Sequence, residues 1–417
     1  MHSNPLRALR HRNFALFVSG QVFALIGYWI QQLALSWLVY RLTGSATLLG
    51  VLAFAANIPI LLLAPVAGLW SDRFNRHRMM LATQVVEMLQ AVILATLALT
   101  GLIEIWHVIA LTVLLGICVA IELPVRHAYL LELVPDRQDL PNAVAVMSLI
   151  ANCGRLLGPV LAGILIGVYS EATCFVINAL TYVAVLASFA FIRVTSQPAG
   201  GTHPPMLQGM REGVRYAWSN PAIRMLLLVL AAFGFAAAPY TTLMPALVRE
   251  AFNGGADTLG FMIGAAGCGA VCGTLLLAFR KSIGGLLEFI VGAAFLAGSA
   301  LVLLGWSRSL MLSVALMTLV GFGILIIAVS TNMILQTIVD DAKRGRVMSL
   351  YTAAFIGLSP LGSLAAGSVA DRIGAGHTVA AGGVACLFAA AMLWSRIGLV
   401  RGRVQRALER PATRPRG

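Results

Sequence analysis

Charge is what this sequence has least of. Asp, Glu, Lys and Arg make up 11% of its 417 residues, whereas a soluble domain carries about 25%. That is too little polar side chain to coat a soluble globule, so the two or three soluble domains suggested by length are excluded. Acids are scarcest of all, 16 against 29 Lys and Arg, for a formal charge of +13. The six cysteines (Cys118, Cys153, Cys174, Cys268, Cys272, Cys386) fall in apolar runs without a C-x-x-C pair, which disfavours metal or redox chemistry. Cys268 and Cys272 share a helix face four residues apart, and small apolar packing is the reading for them. The seven histidines sit at loops or helix ends. An intramembrane enzyme would need H-E-x-x-H or a Ser/His dyad at membrane depth, and neither is present. No P-loop is present either, so ATP is not the expected energy source, and no cofactor or metal is expected.

Apolar residues are abundant, at 59%. They recur in runs of about 20, the length a helix needs to cross a hydrocarbon core of about 30 Å. Spans are expected at 14–40, 46–70, 79–100, 104–131, 142–169 and 172–194, then at 223–248, 257–279, 285–306, 309–337, 347–369 and 377–398. The first run is too long for a signal peptide and is expected to remain as a span. The fold expected is therefore all-α and integral to the membrane: two six-helix halves, 1–195 and 223–398, a linker at 196–222 and a basic tail at 399–417. The linker opens with Pro, Gly and Ser and continues with Leu207, Met210, Val214 and Trp218 around Arg211 and Arg215, an amphipathic helix suited to a membrane surface. Basic residues concentrate in alternate connections, leaving Arg41, Arg249, Arg308 and Arg372 on the other side. This bias speaks against a nucleic-acid partner and puts both termini and the linker in the cytoplasm. Gly158-x-x-x-x-Gly163 recurs as Gly362-x-x-x-x-Gly367 about half a chain later, as expected of duplicated halves.

The loop after the second span reads Gly68-Leu69-Trp70-Ser71-Asp72-Arg73-Phe74-Asn75-Arg76-His77-Arg78. It resembles the signature G-x-x-x-D-R-x-G-R-R of the major facilitator superfamily, with Asn75 and His77 as departures. Asn tolerates a left-handed backbone, so the turn is expected to persist. The fifth span carries Gly154-Arg155-Leu156-Leu157-Gly158-Pro159-Val160-Leu161-Ala162-Gly163. This stretch is similar to the superfamily's antiporter motif, although small residues four apart also serve close helix packing. Leu9 to Phe14, Trp37 to Ser45, Pro124-Val125-Arg126 and Gly345 to Tyr351 resemble the bacterial drug and siderophore exporters related to the enterobactin exporter. The resemblance implies a cytoplasmic gate formed by Gly68, Asp72, Arg73, Arg76, Arg78 and Arg126, a motif of Gly154, Gly158, Pro159 and Gly163 that permits rocking, and export in exchange for protons.

Ionisable groups at membrane depth cost about 2.5–3.5 kcal/mol and are functional candidates by default. Glu87, flanked by Gln84 and Gln90 at intervals of three, is the candidate coupling acid, and Arg155 its candidate electrostatic partner. Glu122 stands four residues before Arg126, where a local ion pair is the plain alternative. Gln31, Asn152 and Asn332 either line a cavity or bond between helices. The expected activity is proton-coupled efflux of a small amphipathic molecule across the inner cell membrane by alternating access. Import by the same fold, an intramembrane enzyme and a sensor are the alternatives.

Overall fold

The computed structural model describes residues 7–193, 206–280 and 284–408, with the side chains at 64–66, 68–69, 72, 206–211, 341–342 and 406–408 outside that description. The described residues are helical, without strands. A 3-10 turn at Arg7–Arg10 precedes α1 (Arg12–Thr43), α2 (Ala46–Arg73), α3 (Arg76–Thr100), α4 (Ile105–Leu133), α5 (Leu140–Val168) and α6 (Glu171–Phe191). Then come α7 (Met206–Ser219), α8 (Pro221–Ala232), α9 (Tyr240–Phe252), α10 (Ala256–Ala278), α11 (Leu286–Trp306) and α12 (Leu310–Ile338). The chain closes with α13 (Asp341–Thr352), α14 (Ser359–Ile373), α15 (Ala375–Ser395) and α16 (Ile397–Leu408). Among the described residues twelve helical stretches are long and apolar enough to cross a membrane, α8 with α9 counting as one and α13 with α14 as another.

Both composite spans contain a π-helical segment, at Phe233–Ala237 and at Ala353–Gly357. In the first, Ala238 N donates to Phe233 O, five residues back, at 2.9 Å. The two segments face each other: a Cβ added at Gly234 would lie 2.5 Å from the Phe355 carbonyl oxygen. Just beyond them, the Thr242 and Ser363 hydroxyls meet at 3.0 Å. The sequence gives no sign of either segment, because Phe-Gly-Phe-Ala-Ala and Ala-Ala-Phe-Ile-Gly read as ordinary apolar helix.

The described residues form two compact units. One comprises 7–193 together with Met244–Gly267, and the other holds 206–243, 268–280 and 284–408. In the first, α1 packs on α5 and α6, α2 on α4, and α3 on α4 and α6. Phe17, Tyr129 and Phe189 anchor one end, Phe17 meeting the other two edge-on at 5.9 Å. Residues 244–267 join this unit because glycines let α10 approach α5. A Cβ at Gly163 would stand 2.6 Å from Ala256 O, and one at Gly267 3.0 Å from Leu156 Cα. In the second unit, α11 packs on α12 and α15, and α16 on α12 and α8.

Three sequence expectations are corrected. The signature stretch is not a loop: α2 runs through Gly68, Asp72 and Arg73, and Phe74 and Asn75 alone separate it from α3. Asn75 is not left-handed either. Its φ is −66°, and its side chain accepts from Arg78 N at 2.9 Å, so it caps α3 as Asn commonly does. The tail from 399 continues as helix to Leu408, with Arg401 paired to Glu288, a residue expected to be solvated. In the linker, α7 lies where an amphipathic helix was expected. It docks on α13 through Glu212 with Arg346, Tyr216 Oη donating to Asp340 at 3.2 Å, and Lys343 Nζ 4.4 Å from the Tyr216 ring centre.

The amino-terminal segment is tied down by one acid. Asp139, capping α5, has a side chain 1% exposed and accepts from Arg7 Nε at 3.0 Å and Arg10 Nη2 at 2.8 Å, with His11 Nε2 at 2.9 Å. Asn142 accepts from Ala8 N at 2.9 Å beside it. The hydrogen bond from Arg10, followed by that from His11, holds the Asp139 carboxyl below its ordinary value of 3.8. A carboxyl whose folded value is depressed stabilises the fold above the unfolded value and loses that contribution as pH falls through the folded one. Asp139→Asn is therefore expected to lower the thermal midpoint near neutral pH, with the gap from the parent closing as pH drops below about 4. Melting curves across pH check this, and a gap independent of pH would reject the electrostatic account.

Candidate functional site

Two helix faces with the same spacing build the site. On α1, Gln21, Ala24, Leu25 and Tyr28 follow at i, i+3, i+4 and i+7, and on α4 Val119, Glu122, Leu123 and Arg126 do likewise, so each set forms one stripe. Together with Trp29, with Gln84 and Glu87 of α3, Ala151, Asn152 and Arg155 of α5, and Tyr182 of α6, they line a cavity of about 280 Å³ within the first unit. Glu87 lies eleven residues into α3, about 16 Å along the helix at 1.5 Å per residue. That depth is near the middle of a hydrocarbon core of about 30 Å.

The charged groups in the cavity are unequally partnered. Glu122 Oε1 accepts from Arg126 Nη2 at 2.5 Å and Nε at 3.2 Å, the local pair that the i,i+4 spacing offers. Arg155 lies with its guanidinium 5.2 Å from the centre of the Trp29 ring, an arrangement the ring quadrupole favours. Among the described residues it makes no ion pair with Glu87. Glu87 is 4% exposed. Its Oε2 accepts from Gln84 Nε2 at 3.2 Å, and its Oε1 has no hydrogen-bond partner among the described residues.

The remaining sequence candidates separate into distinct places. Gln31 is fully buried away from the cavity. It donates to Gln90 Oε1 at 3.1 Å and accepts from Asn178 Nδ2 at 2.8 Å, which makes it an interhelical bond. Asn152 lines the cavity and donates back to Ser148 O. Asn332 belongs to the second unit, where Gln336 donates to it. Of the signature residues, Arg76 binds Glu132 at 2.8 Å and Ser71 O at 3.0 Å, joining the end of α2 to α4. Arg73 and Arg78 are exposed, Gly68 and Asp72 fall in the last turns of α2, and Arg126 turns into the cavity. The fifth-span motif has two faces. Gly154 and Gly158 abut Leu25, Ile26 and Trp29 of α1, while Pro159 and Gly163 abut Gly260 of α10.

Sequence reasoning missed Gln21, Tyr28, Trp29 and Tyr182. The signal was there for the first two: Gln21 and Tyr28 are seven residues apart, two turns along one face of an otherwise apolar helix. The aromatic residues gave no such signal, since rings in a span are as often packed core.

Twelve apolar spans around a buried cavity that holds paired and unpaired charges define a multi-pass membrane transport protein of the major facilitator fold. A solved bacterial homolog of the human lysosomal transporter Spinster, inward-facing and unoccupied, has the same fold. It superposes with a TM-score of 0.71 at 13% identity, over 96% of this chain and 99% of that one. The chain belongs to the transmembrane secretion effector family of that superfamily, whose model matches residues 3–410. It is 29% identical over 374 residues to the staphyloferrin A transporter of Staphylococcus aureus, covering 89% of this chain and 93% of that protein. It is also 25% identical over 357 residues to the multidrug efflux pump Tap of Mycolicibacterium fortuitum, covering 84% and 87%.

Proposed function

We propose that this transporter exports a small amphipathic molecule in exchange for protons, exposing its site alternately to the two sides of the inner cell membrane. The observation that carries the reading is Glu87, a carboxyl at membrane depth in a cavity wide enough for a ligand and bonded to no cation. A carboxyl there gains or loses a proton according to the charge beside it, so ligand arrival and proton release can be tied together. The names of the relatives, a siderophore transporter and a multidrug efflux pump, support movement of organic molecules. Neither ATP nor catalytic chemistry enters this reading. Everted vesicles carrying the chain test the direction: accumulation of substrate driven by respiration supports export, whereas accumulation in right-side-out vesicles would mean import.

Both termini and the linker face the cytoplasm in this proposal, as the arginine distribution requires. A cysteine at Gly402 is then expected to be shielded from an impermeant thiol reagent outside intact cells, and one at Gly254, between α9 and α10, to be labelled. Labelling at Gly402 from outside would invert the topology.

A further inference from the structure

One wall of the cavity is short of hydrogen-bond donors. Gln21, Gln84 and Glu87 are 1%, 1% and 4% exposed. Four of their polar atoms (Gln21 Oε1 and Nε2, Gln84 Oε1 and Glu87 Oε1) have no hydrogen-bond partner among the described residues. Three of those four are acceptors. The Gln84 orientation is fixed by its Nε2 donating to Glu87, and turning the Gln21 amide over leaves the count unchanged. Buried polar atoms are nearly always satisfied in a folded protein, so these oxygens call for N–H groups arriving from elsewhere.

The cations lining the cavity do not meet that demand. Arg126 is taken by Glu122, and Arg155 lies over Trp29. The Tyr28 hydroxyl accepts from Gln32 at 3.1 Å. We propose that this wall is an amine subsite, where the protonated amino group of an otherwise apolar ligand donates to Gln21, Gln84 and Glu87. The assignment rests on the reading of the cavity as the substrate site.

The subsite also fixes the sign of the coupling. The groups acting on Glu87 are Tyr28 from α1, Cys118, Glu122 and Arg126 from α4, and Tyr182 from α6, with Arg155 of α5 in the same cavity. With Glu122 neutralised by Arg126, Glu87 is the acid left to answer an incoming cation. An ammonium group beside it favours the carboxylate and expels its proton, whereas an anion there would favour the protonated acid and bring a proton along. Exchange of substrate for protons therefore requires a cationic ligand, and a carboxylate in this place would also face three acceptor oxygens.

Three probes carrying the same dansyl fluorophore, on a primary amine, on its acetylated form and on a carboxylate, test this with the purified full chain in lipid nanodiscs. The amine is expected to bind at least about tenfold more tightly than either other probe, and to weaken as pH is lowered from about 7.5 to about 5.5 while Glu87 takes up a proton. Gln84→Leu should weaken the amine by about tenfold and leave the acetylated probe within about threefold. Gln21→Leu, which sacrifices no existing bond, should do the same and covers the case of a misfolded Gln84 variant. Equal or tighter binding of the carboxylate or acetylated probe, equal weakening of all three in the variants, or binding of none would overturn the subsite. Proton flux in proteoliposomes separates the two readings. Amine binding as described without proton movement removes proton coupling and leaves the subsite, while proton-driven export of the carboxylate probe does the reverse.

Discussion

Glu87→Gln is expected to abolish uphill export driven by an imposed pH gradient while leaving downhill exchange of the same substrate within about twofold. The substitution keeps the volume of the side chain and an oxygen able to accept from Gln84 Nε2, which lies 3.2 Å from Glu87 Oε2. What it removes is a titrating group. Without one, occupancy of the cavity can no longer be linked to the proton, and the pH gradient loses its purchase on the transport cycle. Glu122 is not expected to take over, because Arg126 holds it through two hydrogen bonds. Opposite charge at that distance keeps a carboxyl ionised. Reconstituted proteoliposomes with and without a pH gradient provide the measurement. If the Gln variant still concentrates substrate, the proton is carried elsewhere.

Gly260→Val is expected to destroy transport and to lower the thermal midpoint, through packing rather than chemistry. A Cβ at Gly260 would run into the Pro159 carbonyl oxygen and lie 3.0 Å from Gly163 Cα. Neither can rotate aside as a side chain would, and Pro159 sits inside α5, so the helices must separate. Overpacking that forces backbone apart costs about 1–3 kcal/mol or more, and separating α10 from α5 also forfeits the contacts at Gly264 and Gly267. Gly292→Val in α11, where an added Cβ meets nothing within 4 Å, is the matched control and should leave melting and flux near the parent values. Equal damage from both would mean that valine is tolerated nowhere in these spans, and the account of the α5–α10 contact would fall.

The spans were legible because their signal is long: some twenty apolar residues in succession admit few other readings. Glu87 and Arg126 were legible for a related reason, since an ionisable residue in such a run stands out whatever its partners. Partners were harder. Arg155 was expected beside Glu87 and lies over Trp29 instead, because charge spacing along the chain carries no information about which aromatic ring a neighbouring helix presents. Asn75 was read as a substitute for glycine when its side chain, two residues from the end of α2, was the capping signal. Arg7, Arg10 and His11 were read only as a cytoplasmic charge bias, although all three converge on Asp139, which nothing near it in sequence announces.

The π-helical segments give the second unit a sensitivity to chain length that its composition hides. A turn closed five residues back holds about one residue more than an α turn, and in an α-helix each residue advances the side chains by about 100°. Deleting one residue within Phe233–Ala237 would allow an unbroken helix, at the cost of turning everything after it by more than a quarter revolution. Thr242 would then swing away from Ser363, and α9 would present a different stripe to its neighbours. These five-residue segments act as phase shifters, so a deletion that looks conservative by hydropathy would re-index half a span.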